Sequence, residues 1–309
     1  MEAQPANKRT REIPMSNTEL HETAAALVAE GKGILAADES SGTIKKRFDS
    51  IGVESTEENR RAYRNLLFTT PGAEEYISGV ILFDETIRQS ADDGTPFPEL
   101  LAAKGVIPGI KVDQGAKPLA HADGETVTEG LDGLRERLEE YRGLGARFAK
   151  WRATYSISDT LPSEYCIWTN AHALARYAAL CQEAGIVPIV EPEVLQDGTH
   201  SIERSGFVTS RVLAAVYTEL FDQRVDVEGT LLKPNMVLSD YEASDRAGVE
   251  AVVLLEPLAQ PVEPFRDRLA FRECERLGAQ VDLDARDDPL RREQLRERRP
   301  VRRALADRL

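Results

Sequence analysis

The sequence predicts an α/β fold, a (β/α)8 TIM barrel in which six strand–helix units are legible and strands 7 and 8 are not recognisable. Three observations carry that expectation. Short apolar runs alternate with amphipathic stretches, the pattern of βα units around a parallel sheet. Most of those runs are apolar through their middles, as strands covered on both faces are. Charged residues recur where the runs end, which is where a barrel gathers its active site. A doubly wound sheet would account for the first two observations but would not bring those charges together.

The strand candidates are GILAAD (33–38), SGVILF (78–83), IPGIKVD (107–113), RFAKW (147–151), IVPIVE (186–191) and GTLLK (229–233). Asp38 ends the first. Lys111 and Asp113 lie in the third, Lys150 and Arg152 in or just after the fourth, Glu191 and Glu193 at the end of the fifth, and Lys233 at the end of the sixth. Helical patterns fill the intervals. Ser55 and Glu58 have capping-box spacing ahead of NRRAYRNLLF. Leu131, Leu134, Leu138 and Tyr141 share one helix face, as do Leu174, Tyr177 and Cys181, and Val212, Val216 and Leu220. Gly185 stands where a helix C-terminus places glycine.

Composition bounds the function. With 309 residues and a net charge of −14, the chain is long enough for one large domain and too acidic for a nucleic-acid or anionic-membrane surface. No apolar run reaches bilayer length, and the first residues lack the apolar stretch of a signal peptide. Cys166, Cys181 and Cys274 have no metal-type spacing and read as reduced core thiols. A cytoplasmic protein that binds neither membrane nor nucleic acid is the expectation.

Lys233 is the residue that asks for an explanation, because a strand end converging on a barrel mouth is a costly place for an unpaired ammonium. A lysine amine becomes a nucleophile when a nearby cation or desolvation lowers its pKa, and Lys150 could supply that like charge. Its attack on a carbonyl would give a Schiff base, an electron sink. Glu191 is available as the acid that dehydrates the carbinolamine and Asp38 as the base on a hydroxyl. The same residues also fit structural ion pairs at strand ends, and spacing alone does not choose. After the first strand, ESSGTIKKR (39–47) offers Ser40, Ser41 and Thr43 as donors and Lys45, Lys46 and Arg47 as charges, which reads as an oxyanion site at a helix entry. The alternative is an ordinary N-cap with a solvated basic face.

Taken together, GKGILAADESSGTIKKR, GVILFDETI, GIKVDQG, FAKWR, GIVPIVEPEVLQDG and EGTLLKPNMV resemble class I fructose-bisphosphate aldolases, nearly unbroken from about residue 18 to 251. The resemblance implies a barrel that cleaves fructose 1,6-bisphosphate into dihydroxyacetone phosphate and glyceraldehyde 3-phosphate, in glycolysis and gluconeogenesis, with no metal and no cofactor. It implies Lys233 as the Schiff-base lysine, Glu191 as the dehydrating acid with Glu193 beside it, and Asp38 as the base on the C4 hydroxyl. Lys150 would hold charge against Lys233 and Glu191, Arg152 would lie close by, and Lys111 would bind substrate. Ser40, Thr43, Lys46 and Arg47 would take the distal phosphate, and the family implies a homo-oligomer, a tetramer.

The expected organisation is a single barrel domain over 1–309: an extension (1–17), a family-like body (18–252) and a divergent tail (253–309) with a shifted reading frame or a deletion near residue 253 as its expected origin. The family's Ser-Gly-Gly phosphate cradle cannot be written there, since no serine follows Ser244 and the only glycine after Gly248 is Gly278. Residues 286–309 instead hold nine arginines. AVVLL (251–255) is the sole candidate for a seventh strand. A catalytically impaired or non-catalytic aldolase-like scaffold is therefore the alternative function.

Overall fold

The structure is a computed structural model that describes residues 17–243. Helix α1 (Asn17–Leu27) precedes β1 (Gly33–Ala37), α2 (Ser41–Ser50), α3 (Glu57–Thr69), β2 (Ile77–Leu82), α4 (Asp84–Ile87), α5 (Phe97–Ala103) and β3 (Ile107–Lys111). Then come β4 (Ala116–Pro118), β5 (Thr126–Thr128), α6 (Leu134–Gly143), β6 (Phe148–Tyr155), α7 (Glu164–Glu183), β7 (Val187–Val194), α8 (Ile202–Asp222) and β8 (Leu231–Leu232). All six expected strands form. The antiparallel hairpin β4–β5 has no counterpart in the sequence reading, because three-residue strands carry too little periodicity to detect. The candidate strand 251–255 and the tail 253–309 lie outside the described residues.

The six strands make one parallel sheet in the order β1-β2-β3-β6-β7-β8. The order follows the chain without reversal, whereas a doubly wound sheet reverses at a switch point. The sheet also curls: Asp38, just past β1, lies 2.7 Å from Lys150 of β6, although two strands intervene. This is the winding and curvature of a barrel.

Alternate residues of each strand face opposite sides. Leu35, Val80, Ile110, Ala149 and Val190 face outward into the layer shared with the helices. There Tyr177 of α7 is fully buried, and its hydroxyl donates to the carbonyls of Ala149 (2.7 Å) and Ile189 (3.2 Å), tying the helix to β6 and β7. Facing inward, Ile81, Phe148, Val187 and Ile189 form a second cluster with Leu20, Ala24 and Leu27 of α1, which packs against the inner face of the sheet. The Phe148 ring fits because β2 and β3 present glycines to it. A Cβ on Gly79 would lie 3.0 Å from that ring and 2.6 Å from Leu27, and one on Gly109 would overlap the ring.

Two expectations need correction. The Ser55–Glu58 box is not the cap of α3: Thr56 is, its hydroxyl accepting from Asn59 N at 3.1 Å, because the extended residue that precedes the helix falls one position later. Leu131 is not part of α6, which starts at Leu134 behind Gly133 (φ 62°), although Leu131 packs on the same core from outside the helix. Most strands of the parallel sheet are covered on both faces as expected, whereas β1 exposes Gly33 and Ala36, and β8 exposes Leu232. Each of these two strands pairs on one side only among the described residues. The other helix-face assignments hold, with Leu138, Tyr141, Leu174, Tyr177, Cys181, Val212, Val216 and Leu220 all buried. Gly185 follows α7 with φ 68°, the left-handed turn glycine tolerates. Cys166 and Cys181 are buried and free, and burial pushes the Cys166 thiol up to about 12.

Candidate active site

Inward-facing positions change character along the strands. On β6 the inner side reads Phe148, Lys150, Arg152, and on β7 it reads Val187, Ile189, Glu191, Glu193. On β3 it reads Ile107, Gly109, Lys111; Ile34, Ala36 and Asp38 follow the same period through and past β1, and Leu231 and Lys233 through and past β8. A spacing of two keeps each series on one face, so apolar residues fill the N-terminal half of the inner side and charges gather at the C-terminal end. The register helps, since Lys111 pairs with Lys150, and Arg152 with Glu191.

Glu191 is the centre of the cluster. One of its oxygens accepts from Lys233 Nζ, and the other lies 3.3 Å from Lys150 Nζ. Lys150 in turn reaches Asp38 at 2.7 Å. Exposure differs sharply along this chain: the side chains of Lys150 and Glu191 are 8% and 5% exposed, and that of Lys233 is 51% exposed. Burial opposes the charge on Lys150, but the carboxylates of Asp38 and Glu191 outweigh it and hold the ammonium above the ordinary lysine value. Lys150 is therefore a fixed cation, and Lys233 is the lysine open to a ligand. The two lysines meet through this shared carboxylate.

At one end of this cluster, Asp38 and Lys150 line a cavity of about 830 Å³ together with Ser40, Thr43, Lys111 and Arg152 among others, whereas Glu191, Glu193 and Lys233 are not part of its lining. Lys111 donates to the Asp113 carbonyl at 2.9 Å and pairs with its carboxylate, and Arg152 pairs with Glu193 at 2.9 Å. Ser40 is the N-cap of α2, its hydroxyl 3.4 Å from Thr43 N and 3.1 Å from Thr43 Oγ1, and both residues also edge the cavity. Thus the ordinary cap and a donor pair facing the cavity are the same two residues. Lys46 and Arg47 are not brought to the cavity wall: Lys46 is exposed on α2, and Arg47 pairs with Glu39.

One contributor escaped detection in the sequence. Arg137 of α6 lines the cavity and donates to Val112 O at 2.9 Å and to Gly130 O, fastening both ends of the excursion that carries Asp113 and the β4–β5 hairpin. Its signal was an arginine four residues before Tyr141, beside the apolar face of a helix. Asp113 was visible as a charge, yet its tie to Lys111 depends on the turn after β3. Among the described residues no group of histidine, cysteine, aspartate and glutamate could hold a metal ion, and no helix is long and apolar enough to cross a membrane.

A mouth of lysines and carboxylates beside a cavity fits chemistry on an oxygenated, anionic small molecule. Residues 19–259 match the family model described as fructose-bisphosphate aldolase class-I. The chain is 60% identical over 238 residues to the probable fructose-bisphosphate aldolase class 1 of Xylella fastidiosa, a match spanning 77% of this chain and 71% of that protein. It is 56% identical over 234 residues to the cytosolic fructose-bisphosphate aldolase 4 of Arabidopsis thaliana, covering 76% of this chain and 60% of that one. Among solved structures, fructose-bisphosphate aldolase from Plasmodium falciparum superimposes with a TM-score of 0.74 at 50% identity, over 77% of this chain and 70% of that chain. The chain therefore belongs to the class I fructose-bisphosphate aldolase family.

Proposed function

We propose that this chain cleaves fructose 1,6-bisphosphate reversibly through a Schiff base on Lys233, in the glycolytic and gluconeogenic direction of the cytoplasm. The observation that carries the reading is the Lys233–Glu191–Lys150–Asp38 chain, in which an accessible lysine touches a buried carboxylate held by a second, buried lysine. The neutral amine of Lys233 adds to the ketose carbonyl. Glu191 supplies the proton with which water leaves the carbinolamine, giving an iminium. Asp38 accepts the C4 hydroxyl proton as the C3–C4 bond breaks, the bonding pair moves into the iminium to form an enamine, and an aldehyde departs. Protonation at C3 and hydrolysis then return Lys233. Lys150 keeps positive charge beside the carboxylates throughout, a preorganised cation in a largely desolvated site. Glu193, Arg152, Lys111, Ser40 and Thr43 border the substrate, while Lys46 and Arg47, expected on its distal phosphate, stand on α2 outside the cavity lining. We also propose that the chain works as a homo-oligomer.

Borohydride reduction in the presence of dihydroxyacetone phosphate tests the covalent residue. Label is expected on the peptide bearing Lys233; label on Lys150 or Lys111 with none on Lys233 defeats the assignment. A second reading, an impaired catalyst, is supported by the residues after 253, which hold a single glycine and no serine.

A further inference from the structure

β8 is two residues long, yet it must hold the reactive end of the sheet. Its ladder with β7 pairs only Ile189 with Leu231 and Val190 with Leu232, followed by one bond from Lys233 N to Val190 O at 2.9 Å. A proline explains why it stops: Pro192 in β7 has no N–H, so it cannot donate the next rung to the Lys233 carbonyl. The backbone that carries Lys233 would be free to swing just beyond its last rung.

Asn235 stands at that point. Its Oδ1 accepts from Val194 N at 3.1 Å, so a side chain provides the acceptor that the interrupted strand does not. Its Nδ2 donates to Thr209 Oγ1 of α8 at 3.2 Å and to Met236 O at 3.0 Å. Thr209 is buried, so this anchor lies in the packed helix layer and not on the surface. The same amide thus joins the segment after Lys233 to the end of β7, directly after Glu193, and to α8. Asparagine suits this place because one planar group offers an acceptor and a donor in fixed opposition.

We propose that Asn235 is a positioning residue for the reaction: it replaces the missing ladder and holds Lys233 Nζ against Glu191. The inference rests on Lys233 being the covalent residue. It touches neither substrate nor the reacting atoms, and acts by fixing the backbone on which the nucleophile stands. Displacing a reacting group by about 1 Å costs on the order of 10²-fold, which sets the scale of the effect.

The test uses the full-length chain and variants Asn235→Ala, Asn235→Asp and Thr209→Val, reading the rate at which borohydride with dihydroxyacetone phosphate fixes mass on Lys233, and kcat and KM for fructose 1,6-bisphosphate. N235A should slow trapping and lower kcat by about 10- to 100-fold with KM changed less than about twofold. N235D keeps the acceptor for Val194 N and should recover a large part of the loss. T209V, which removes only the anchor on α8, should fall between N235D and N235A with its thermal unfolding close to the parent's. Trapping in N235A as fast as in the parent, at Lys233, overturns the inference and leaves the covalent assignment standing. A parent labelled elsewhere than Lys233 overturns both. Equal loss in N235A and N235D, with unfolding lowered in both, shows a merely structural role and also overturns it.

Discussion

Lys150 shows what a single residue can be asked to do. Its side chain is nearly buried, and two carboxylates compensate the desolvation, so removing it leaves buried negative charge without a partner. Breaking a buried pair from one side costs about 3–5 kcal/mol, and the lower end applies here because Lys233 still holds Glu191. K150M is expected to destabilise the protein by about 3 kcal/mol in urea unfolding; a loss below about 1 kcal/mol would show that water fills the role. The pH dependence follows from the direction of the shift. Because the folded-state pKa is raised above the ordinary 10.5, the stabilisation by Lys150 is fully present below pH 10.5 and disappears as pH rises through the folded value. The difference in unfolding free energy between parent and K150M should stay flat from neutral pH to about 10 and narrow above it. A gap that closes below pH 9 contradicts the raised value. At this scale residue spacing was informative about residue type, while partnership was expected from the family resemblance alone. Lys150, Glu191 and Lys233 were legible as charges at strand ends, whereas their sharing of one carboxylate depends on β6, β7 and β8 lying side by side.

Strands and helices are where periodicity speaks most clearly. Leu174, Tyr177 and Cys181 repeat at helical spacing because α7 buries one stripe, and Val212, Val216 and Leu220 do the same on α8. Caps were less legible: Ser55 and Thr56 are both competent, and the choice between them is made by which residue adopts the extended conformation. The packing of Phe148 against Gly79 and Gly109 was not legible at all, since a strand glycine gives no sign of which ring will cover it. It yields a prediction at the level of the sheet. Gly109→Ala puts a methyl group into the Phe148 ring and is expected to cost about 1–3 kcal/mol through overpacking. Combining it with Phe148→Leu should cost less than the two single changes added together, as residues in contact do. Strict additivity in unfolding experiments would mean that the ring moves aside freely.

Seen as a whole, the described sheet has β1 and β8 as its outer strands, each paired on one side. Phosphate recognition by backbone N–H groups needs close approach and glycine-like freedom, and beyond residue 253 the sequence offers only Gly278. The chain as written is therefore expected to cleave fructose 1,6-bisphosphate at least about 10²-fold more slowly than a version whose residues after 252 are replaced by those of a family member. It should also aggregate more readily, because an unpaired strand edge is a template for another chain. Steady-state assays and light scattering on the two proteins side by side give the answer. Equal activity would mean that residues 253–309 bind phosphate by means other than glycine and serine.

By itself the sequence determined the alternation of strands and helices, the helix faces that are buried, and the residue types that end the strands. These are local or short-period properties, set by the two-residue repeat of a strand and the 3.6-residue repeat of a helix. It also determined that the charges would meet, once a strand order without reversal was assumed. Only the tertiary structure decided which charges touch: that Glu191 lies between Lys150 and Lys233, that Lys111 rests on Asp113, and that Lys46 and Arg47 do not join the cavity wall. It alone shows Asn235 reaching Val194 and Thr209. Those outcomes depend on register, curvature and the path of the turns, which are fixed by contacts between residues far apart in the chain and leave no periodic trace in it.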